Sequence, residues 1–410
     1  MKKHDACIAT QYGWVDIDNI NNKAINCVKE KLHDDIFNSK FYKDKEGIFW
    51  PKVQKVNNYT STHGNALSYY ETEYIYHILR YPLFTPSQFK ESLLFLCDVC
   101  NYCKDNGYFL RTHLWNLTYV RGKPYIIDIR DFEKLRNQSW NDIFMGHFRN
   151  KLDNHCPKHA ECFVSNYKNI FDKLSNCGNN LKKIKDILIG IEERNIVSKQ
   201  WTNYHGSRTK FLYESNVFTE KLYQQIKTYG GGSEDKTKSN NLFNMIENIE
   251  CKTIIEFGCN NGLYSFGCSK FAPTIGIDYD IQSIHHANEI NKKLNTNTQF
   301  AHVDILKESI NNLKYGQGGA YGNTYEVFKS ELLIAPAVIH HLYKSCKSLE
   351  KIIRIFNNFA TKYMIIELIP ETINKEQLIN VIEKYNWKLF KSLPSSPSPR
   401  EWLMFNKIIF

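Results

Sequence analysis

The residues that could do chemistry cluster in the second half of the 410-residue chain. Glu256, Gly258 and Gly262 stand in EFGCNNG, an E-x-G-x-x-x-G spacing that also contains Asn260. Glycines at such a bend let the backbone turn tightly and approach a ligand that a Cβ would exclude. A helix opening near Gly262 offers its first N–H groups to an anion, which suits a carboxylate. A pyrophosphate needs more room and favours G-x-G-x-x-G. About 20 residues beyond Gly258, Asp278 closes the run TIGID, where an acid accepts hydrogen bonds from ribose hydroxyls. Asp304, followed by Ile305, can bond an adenine amino group while the apolar neighbour covers the ring. The plain alternative for Glu256 and Asp278 is a pair of acids capping strand ends. His340 and His341 in AVIHHL supply imidazoles, which with an ordinary pKa near 6.5 can take a proton from an attacking hydroxyl. The plain alternative for either is helix capping or packing, and both stay candidates. Glu367 in MIIELIP is the other polar candidate near that mouth.

These residues need strands that end together. TIIEFG, TIGIDYD, TQFAHVDI, ELLIAPAV and MIIELI read as five short, buried β-branched strands. Helices are expected over Gly262–Lys270, Ile281–Leu294, Ser345–Phe359 and Lys375–Tyr385. Alternation of this kind predicts an α/β, doubly wound parallel sheet with Rossmann-like order. WKLFKSL and EWLMFNKII follow without a helix between them. They must therefore pair antiparallel, because a parallel crossover needs a dozen or more residues. Seven strands ending in an antiparallel hairpin are the expectation. Pro336 inside the fourth run suggests a position past the last ladder bond.

The chain is too long for one ordinary core. The stretch YGGGSEDKTKSNN (Tyr229–Asn241) reads as a linker, being rich in Gly, Ser and charge. The expected division is 1–190 for an accessory unit, mainly helical and α+β, 191–240 for a lid and linker, and 241–410 for the ligand-binding unit. Apolar residues make up 42% and charged residues 23%, the balance of a globular protein. No apolar run reaches the length of a membrane span, and the opening MKKHDACIATQYGWVDIDN lacks the apolar core of a secretory signal. The 12 cysteines lie mostly in apolar periodic segments, which points to reduced thiols and a cytoplasmic setting. The net charge of +10 is spread without a basic stripe, which argues against nucleic acid and leaves a solvated surface or an anionic small substrate.

Two metal-like patterns are discounted. Cys97, Cys100 and Cys103 fall on one apolar helix with no fourth ligand nearby, so packed thiols are expected. His155, Cys156, His159 and Cys162 lack a second well-spaced pair, so no metal site is expected.

The segments EFGCNNGLYSF, GIDYD, HVDI, LLIAPAVIHHL and MIIELIP resemble a bacterial family of class I S-adenosylmethionine-dependent methyltransferases. Some members are associated with nodulation or surface polysaccharides, and they carry an N-terminal extension related to a kinase catalytic loop. The likeness runs from about Tyr81 to the end. It implies S-adenosylmethionine as cofactor, held by Glu256, Gly258, Asn260, Gly262, Asp278, Asp304 and Ile305. It also implies a lid in WTNYHGSRTKF, where Tyr204 and His205 are candidate cofactor contacts or simply packed side chains. KYGQGGAYGN reads as a substrate-facing loop. In the N-terminal match, Asn116 and Asp128 flank a hairpin through Gly122-Lys123-Pro124 as magnesium-holding residues do in kinases, but Arg111 occupies the catalytic Asp position. A retained scaffold is expected there. The acceptor expected is a small polar molecule or a glycan sugar, O-methylated with His340 or His341 as base. An RNA methyltransferase and a non-catalytic cofactor-binding module are the alternatives.

Overall fold

The computed structural model describes residues 13–18, 23–57, 59–61, 64–79, 83–112, 114–129, 132–148, 160–194, 209–229, 236–307, 328–396 and 399–408. Two compact units emerge, the first made mostly of residues before 195 and the second mostly of residues after them.

The first unit opens with a four-stranded antiparallel sheet of β1 (Gly13–Asp18), β2 (Lys23–Val28), β3 (Val53–Lys55) and β4 (Ser68–Thr72), in the order β1-β2-β4-β3. Helices α1 (Lys31–Asn38) and α2 (Lys40–Lys43) lie in sequence between β2 and β3. The long helix α3 (Pro86–Asp105) starts from a full capping box: Thr85 accepts the Gln88 N–H while the Gln88 side chain accepts the Thr85 N–H, and Pro86 sits at the first helical position. It buries Cys97, Cys100 and Cys103 completely, and burial pushes the Cys97 thiol up to about 12. Short pairs follow: β5 (Tyr108–Leu110) with β8 (Phe132–Lys134), and β6 (Leu117–Val120) with β7 (Lys123–Ile126). The β6–β7 turn is made by Arg121 and Gly122, both with positive φ, as a two-residue hairpin loop requires. Helices α4 (Trp140–Phe148), α5 (Tyr167–Asn176) and α6 (Leu181–Ile189) complete the unit. Among the described residues of the first unit helix outweighs strand. Its sheet is built from short strands whose partners lie up to 48 residues away, so their pairing leaves little local trace.

The second unit begins with α7 (Lys210–Glu214), α8 (Glu220–Lys227) and α9 (Thr237–Ile246). Helix α9 takes up the second half of the expected linker. Ser239 is fully buried there and its hydroxyl donates to the Tyr229 carbonyl at 2.6 Å. The sheet comprises β9 (Ile254–Phe257), β10 (Thr274–Asp278), β11 (Thr298–His302), β12 (Ser330–Ala335), β13 (Ala360–Leu368), β14 (Trp387–Pro394) and β15 (Glu401–Lys407). Their order is β11-β10-β9-β12-β13-β15-β14. The first five run parallel, while β15 pairs antiparallel with both β13 and β14. This is the doubly wound sheet with a closing antiparallel hairpin that the strand–helix alternation predicts. Its connecting helices are α10 (Leu263–Cys268), α11 (Ile281–Leu294), α12 (Ile339–Cys346), α13 (Leu349–Phe359) and α14 (Lys375–Glu383). Phe243, Phe266, Phe300, Leu332, Ile365 and Trp402 are fully buried in one cluster between sheet and helices. Helix α11 spans the predicted residues. Asp280 caps it by accepting the Gln282 and Ser283 N–H groups, and Asn295 ends it in the left-handed region.

One helix expectation is corrected. The single helix predicted over Ser345–Phe359 is two, because Lys347 takes φ 55° and Ser348 caps α13 through the Lys351 N–H. Among the described residues no helix is long and apolar enough to cross a membrane.

Candidate functional site

The carboxyl ends of β9, β10 and β11 meet around the glycine bend. Gly258 (φ 69°), Asn260 (φ 48°) and Gly262 (φ 86°) all lie in the left-handed region, so the bend reverses direction within five residues. The missing side chains of its two glycines are filled by protein. A Cβ on Gly258 would come within 2.8 Å of Val338 Cγ2, and one on Gly262 within 2.5 Å of Phe300 Cζ. Gly258 thus lets Val338, which leads into α12, close on the bend. Gly262 lets the bend seat on β11.

Asp278 lies at the tip of β10, 7% exposed. One of its oxygens accepts the Asn260 N–H at 2.8 Å and the other accepts the Asp280 N–H at 2.8 Å. Each keeps lone pairs for a further donor. Burial pushes this carboxyl up to about 6 against the lowering effect of those N–H groups. The capping role and a ligand role are therefore compatible at Asp278. Val303 donates to the Asp278 carbonyl at 2.8 Å, which brings the β11 tip alongside. Asp304 follows, one third exposed, with the Leu306 N–H at 3.1 Å and Lys307 at 3.2 Å; Ile305 beside it is buried.

Glu256 points elsewhere. It is buried within β9 and accepts a hydrogen bond from the Ser265 hydroxyl, which ties the strand to α10. Burial pushes its carboxyl up to about 8, with nearby Asp278 adding to the rise. Asn260 also reaches Ser283 Oγ, at 3.1 Å. Its neighbour Asn261, which sequence reasoning passed over, is 4% exposed. Asn261 donates to Thr209 Oγ1 at 2.8 Å, while its Oδ1 has no hydrogen-bond partner among the described residues. A buried amide oxygen left so is a standing demand for a donor.

On the other side of the bend β12 ends at Ala335. Pro336 lies one residue beyond the strand, as its chemistry requires, and Ala337 turns with φ 46°. The two histidines consequently ride on the first turn of α12 and not on the strand end itself. Their rings lie 3.8 Å apart between centroids, and both are half-buried. Burial lowers His340 to about 4, reinforced by His341, Lys344, Arg400 and Lys238. Burial and Lys344 lower His341 too. His340 Nδ1 is buried without a partner among the described residues. Glu367, at the end of β13, is completely buried. It pairs with Lys238 at 2.7 Å and accepts from Ser395 at 2.8 Å. Lys238, Ser395 and Arg400 had no motif to mark them, since Lys238 lies far in sequence from the loop that carries the other two.

Tyr204 and His205, the loop KYGQGGAYGN, and His155, Cys156 and His159 lie outside the described residues. In the first unit Asn116 and Asp128 are both buried, and Arg111 pairs with Glu133 at 2.8 Å.

No family model matches the chain. It is 28% identical over 194 residues to an inferred methyltransferase, 235L, of Invertebrate iridescent virus 6, a likeness covering 45% of this chain and 63% of the viral one. The chain thus matches less than two thirds of that relative's length. Solved structures with similar backbones include the N-methyltransferase NodS of Bradyrhizobium japonicum, at 11% identity and TM-score 0.31, covering 41% of this chain and 93% of NodS. Another is the magnesium protoporphyrin IX methyltransferase ChlM of Synechocystis PCC 6803 with bound SAH, at 10% identity and TM-score 0.34, covering 51% of this chain and 97% of ChlM. At those values the strand order of the sheet itself is what describes the fold.

Proposed function

We propose that the second unit is an S-adenosylmethionine-dependent methyltransferase that methylates a hydroxyl of a small polar molecule or glycan sugar. The observation that carries this reading is the junction at Gly258. There the first turn of α12, with its two neutral imidazoles, closes directly on a left-handed bend flanked by the buried carboxylate Asp278. A ligand site and a proton acceptor are thereby joined. The methyltransferase name of the viral relative supports it.

The residues present fit the cofactor. Asp278 has lone pairs for ribose hydroxyls, Asp304 and Ile305 offer an acid beside an apolar cover, and the orphaned Asn261 Oδ1 asks for a donor. Bound there, S-adenosylmethionine supplies an electrophilic methyl group on a sulfonium. The chain has to orient the acceptor, exclude water and receive one proton. His340 and His341 stay neutral at physiological pH because burial and neighbouring cations disfavour the imidazolium. A base this weak takes the proton late, as the attacking oxygen becomes acidic on forming its new bond. Tyr204 as a lid contact and a cytoplasmic setting belong to the same proposal. So does a first unit that retains a kinase-like scaffold without phosphoryl transfer, for which the pairing of Arg111 with Glu133 is the support.

Incubation with trideuteromethyl-labelled donor and a pool of small metabolites, read by mass spectrometry, tests this. A labelled product is expected, and His340→Gln or His341→Gln should slow its formation by about 100-fold or more with S-adenosylhomocysteine affinity kept. Full activity in both variants removes the base role. Binding without any product favours a non-catalytic module.

A further inference from the structure

Three segments distant in sequence converge at the end of β13. Ser395 links them: its N–H donates to the Arg400 carbonyl at 2.8 Å, and its hydroxyl donates to Glu367 Oε1 at 2.8 Å. The other Glu367 oxygen holds Lys238 at 2.7 Å. Glu367 thus neutralises Lys238 inside the protein. No described residue does the same for Arg400. Its side chain is half-buried, yet the guanidinium makes no hydrogen bond or ion pair with any described residue. Its charge is left for an outside partner, and its planar fork matches a carboxylate or phosphate.

The same excess of positive charge reaches the histidine pair. Beyond burial, the leading influences on His340 are His341, Lys344, Arg400 and Lys238, all of which disfavour its protonation. A field of that sign concentrates anions. The first turn of α12 points the same way, because Val338 at its start provides no side-chain cap for the N–H groups there.

We propose that Arg400, backed by the first turn of α12, binds an oxyanion carried by the methyl acceptor, a carboxylate or a phosphate set apart from the hydroxyl that reacts. This deepens the methyl-transfer reading and rests on it for the word acceptor; the anion site itself is testable without cofactor or turnover. It makes the substrate class a hydroxylated acid or a phosphorylated polyol, held by the group that does not change.

The test follows the His340 ring signal in a carbon-13 correlation spectrum of the whole chain, assigned by its loss in His340→Gln. Inorganic phosphate and acetate are titrated separately, with sodium chloride matched for ionic strength. At least one anion should move the signal saturably, and the tighter binder names the group. Arg400→Met should weaken that binding at least tenfold. Arg400→Lys, which keeps the charge and loses the fork, should weaken it less. Lys388→Met, an exposed position on β14, should leave it as in the wild type. Should Arg400→Met fail to fold, a wild-type response with unchanged affinity in Arg400→Lys overturns the role of the fork. Absence of a saturable shift in the wild type, or equal affinity in wild type and Arg400→Met, overturns the proposal. S-adenosylhomocysteine binding on the same samples separates the two failures: no nucleoside binding with anion binding intact removes methyl transfer, and the reverse removes only the oxyanion site.

Discussion

Glu256→Gln offers a direct measure of how the sheet tolerates a buried acid beneath the glycine bend. In the folded chain burial holds this carboxyl up to about 8, against an ordinary value of 4.5. Between those two limits the folded state keeps a proton that the unfolded chain releases. Stability therefore falls as pH rises through this window, is greatest below it, and levels off once both states are ionised above pH 8. The slope is at most about 1.4 kcal/mol per pH unit, which over 3.5 units amounts to roughly 5 kcal/mol. Since Glu256 is 2% exposed, little solvent screening reduces the effect. Glutamine mimics the neutral acid, keeping an oxygen for the Ser265 hydroxyl while having no proton to lose. The variant should match the wild type near pH 5 and exceed it increasingly up to pH 8. At ~2–4 °C per kcal/mol for a unit of this size, the difference in Tm should reach on the order of 10 °C. Thermal melts of both proteins without ligand, from pH 5 to 8.5, provide the assay. A Tm difference that stays flat with pH would refute the reasoning, and so would a wild type that gains on the variant as pH rises.

Other consequences are quick to check. Gly262→Ala puts a Cβ 2.5 Å from Phe300 Cζ at φ 86° and should cost about 3 kcal/mol in chemical denaturation. Gly107→Ala, at φ 76° with nothing within 4 Å, should cost only about 1 kcal/mol; equal losses would remove the packing argument. Ser348→Ala deletes the cap of α13 and should lower stability by about 1 kcal/mol, whereas a continuous helix would lose nothing. Because His340 is held at about 4, first by burial and then by its cationic neighbours, kcat at saturating cofactor should stay level from pH 8 down to 5 and fall only below, while Asp278, held at about 6, acts on cofactor affinity instead. A limb near 6.5 would contradict this.

The sheet was legible because its strands are short apolar runs closed by Gly, Asp or Pro, and because helix α11 carries its own start and stop signals in Asp280 and Asn295. The break between α12 and α13 was not, since Ser345-Cys346-Lys347-Ser348 interrupts neither polarity nor period and only the left-handed Lys347 reveals it. In the first unit β3 is three residues long and pairs with β4 across an intervening loop, which no local pattern specifies. Asp278 and Asp304 could be read from their places at the strand ends. Glu256 reads like them in the motif, yet its pleat turns it inward to Ser265. Asn261 was visible in EFGCNNG, but only the fold shows its oxygen without a partner. Arg400 and Lys238 were invisible, because the convergence of distant segments at the end of β13 has no sequence period.

Calorimetric titration of S-adenosylhomocysteine into the wild type, Asp278→Asn and His340→Gln bears most directly on the central claim. Saturable binding is predicted for the wild type, an equal affinity for His340→Gln, and a loss of about tenfold or more for Asp278→Asn as a charge-assisted hydrogen bond of roughly 1.5–3 kcal/mol is removed. A wild type that gives no saturable heat, or an Asp278→Asn variant that binds as tightly, would contradict it.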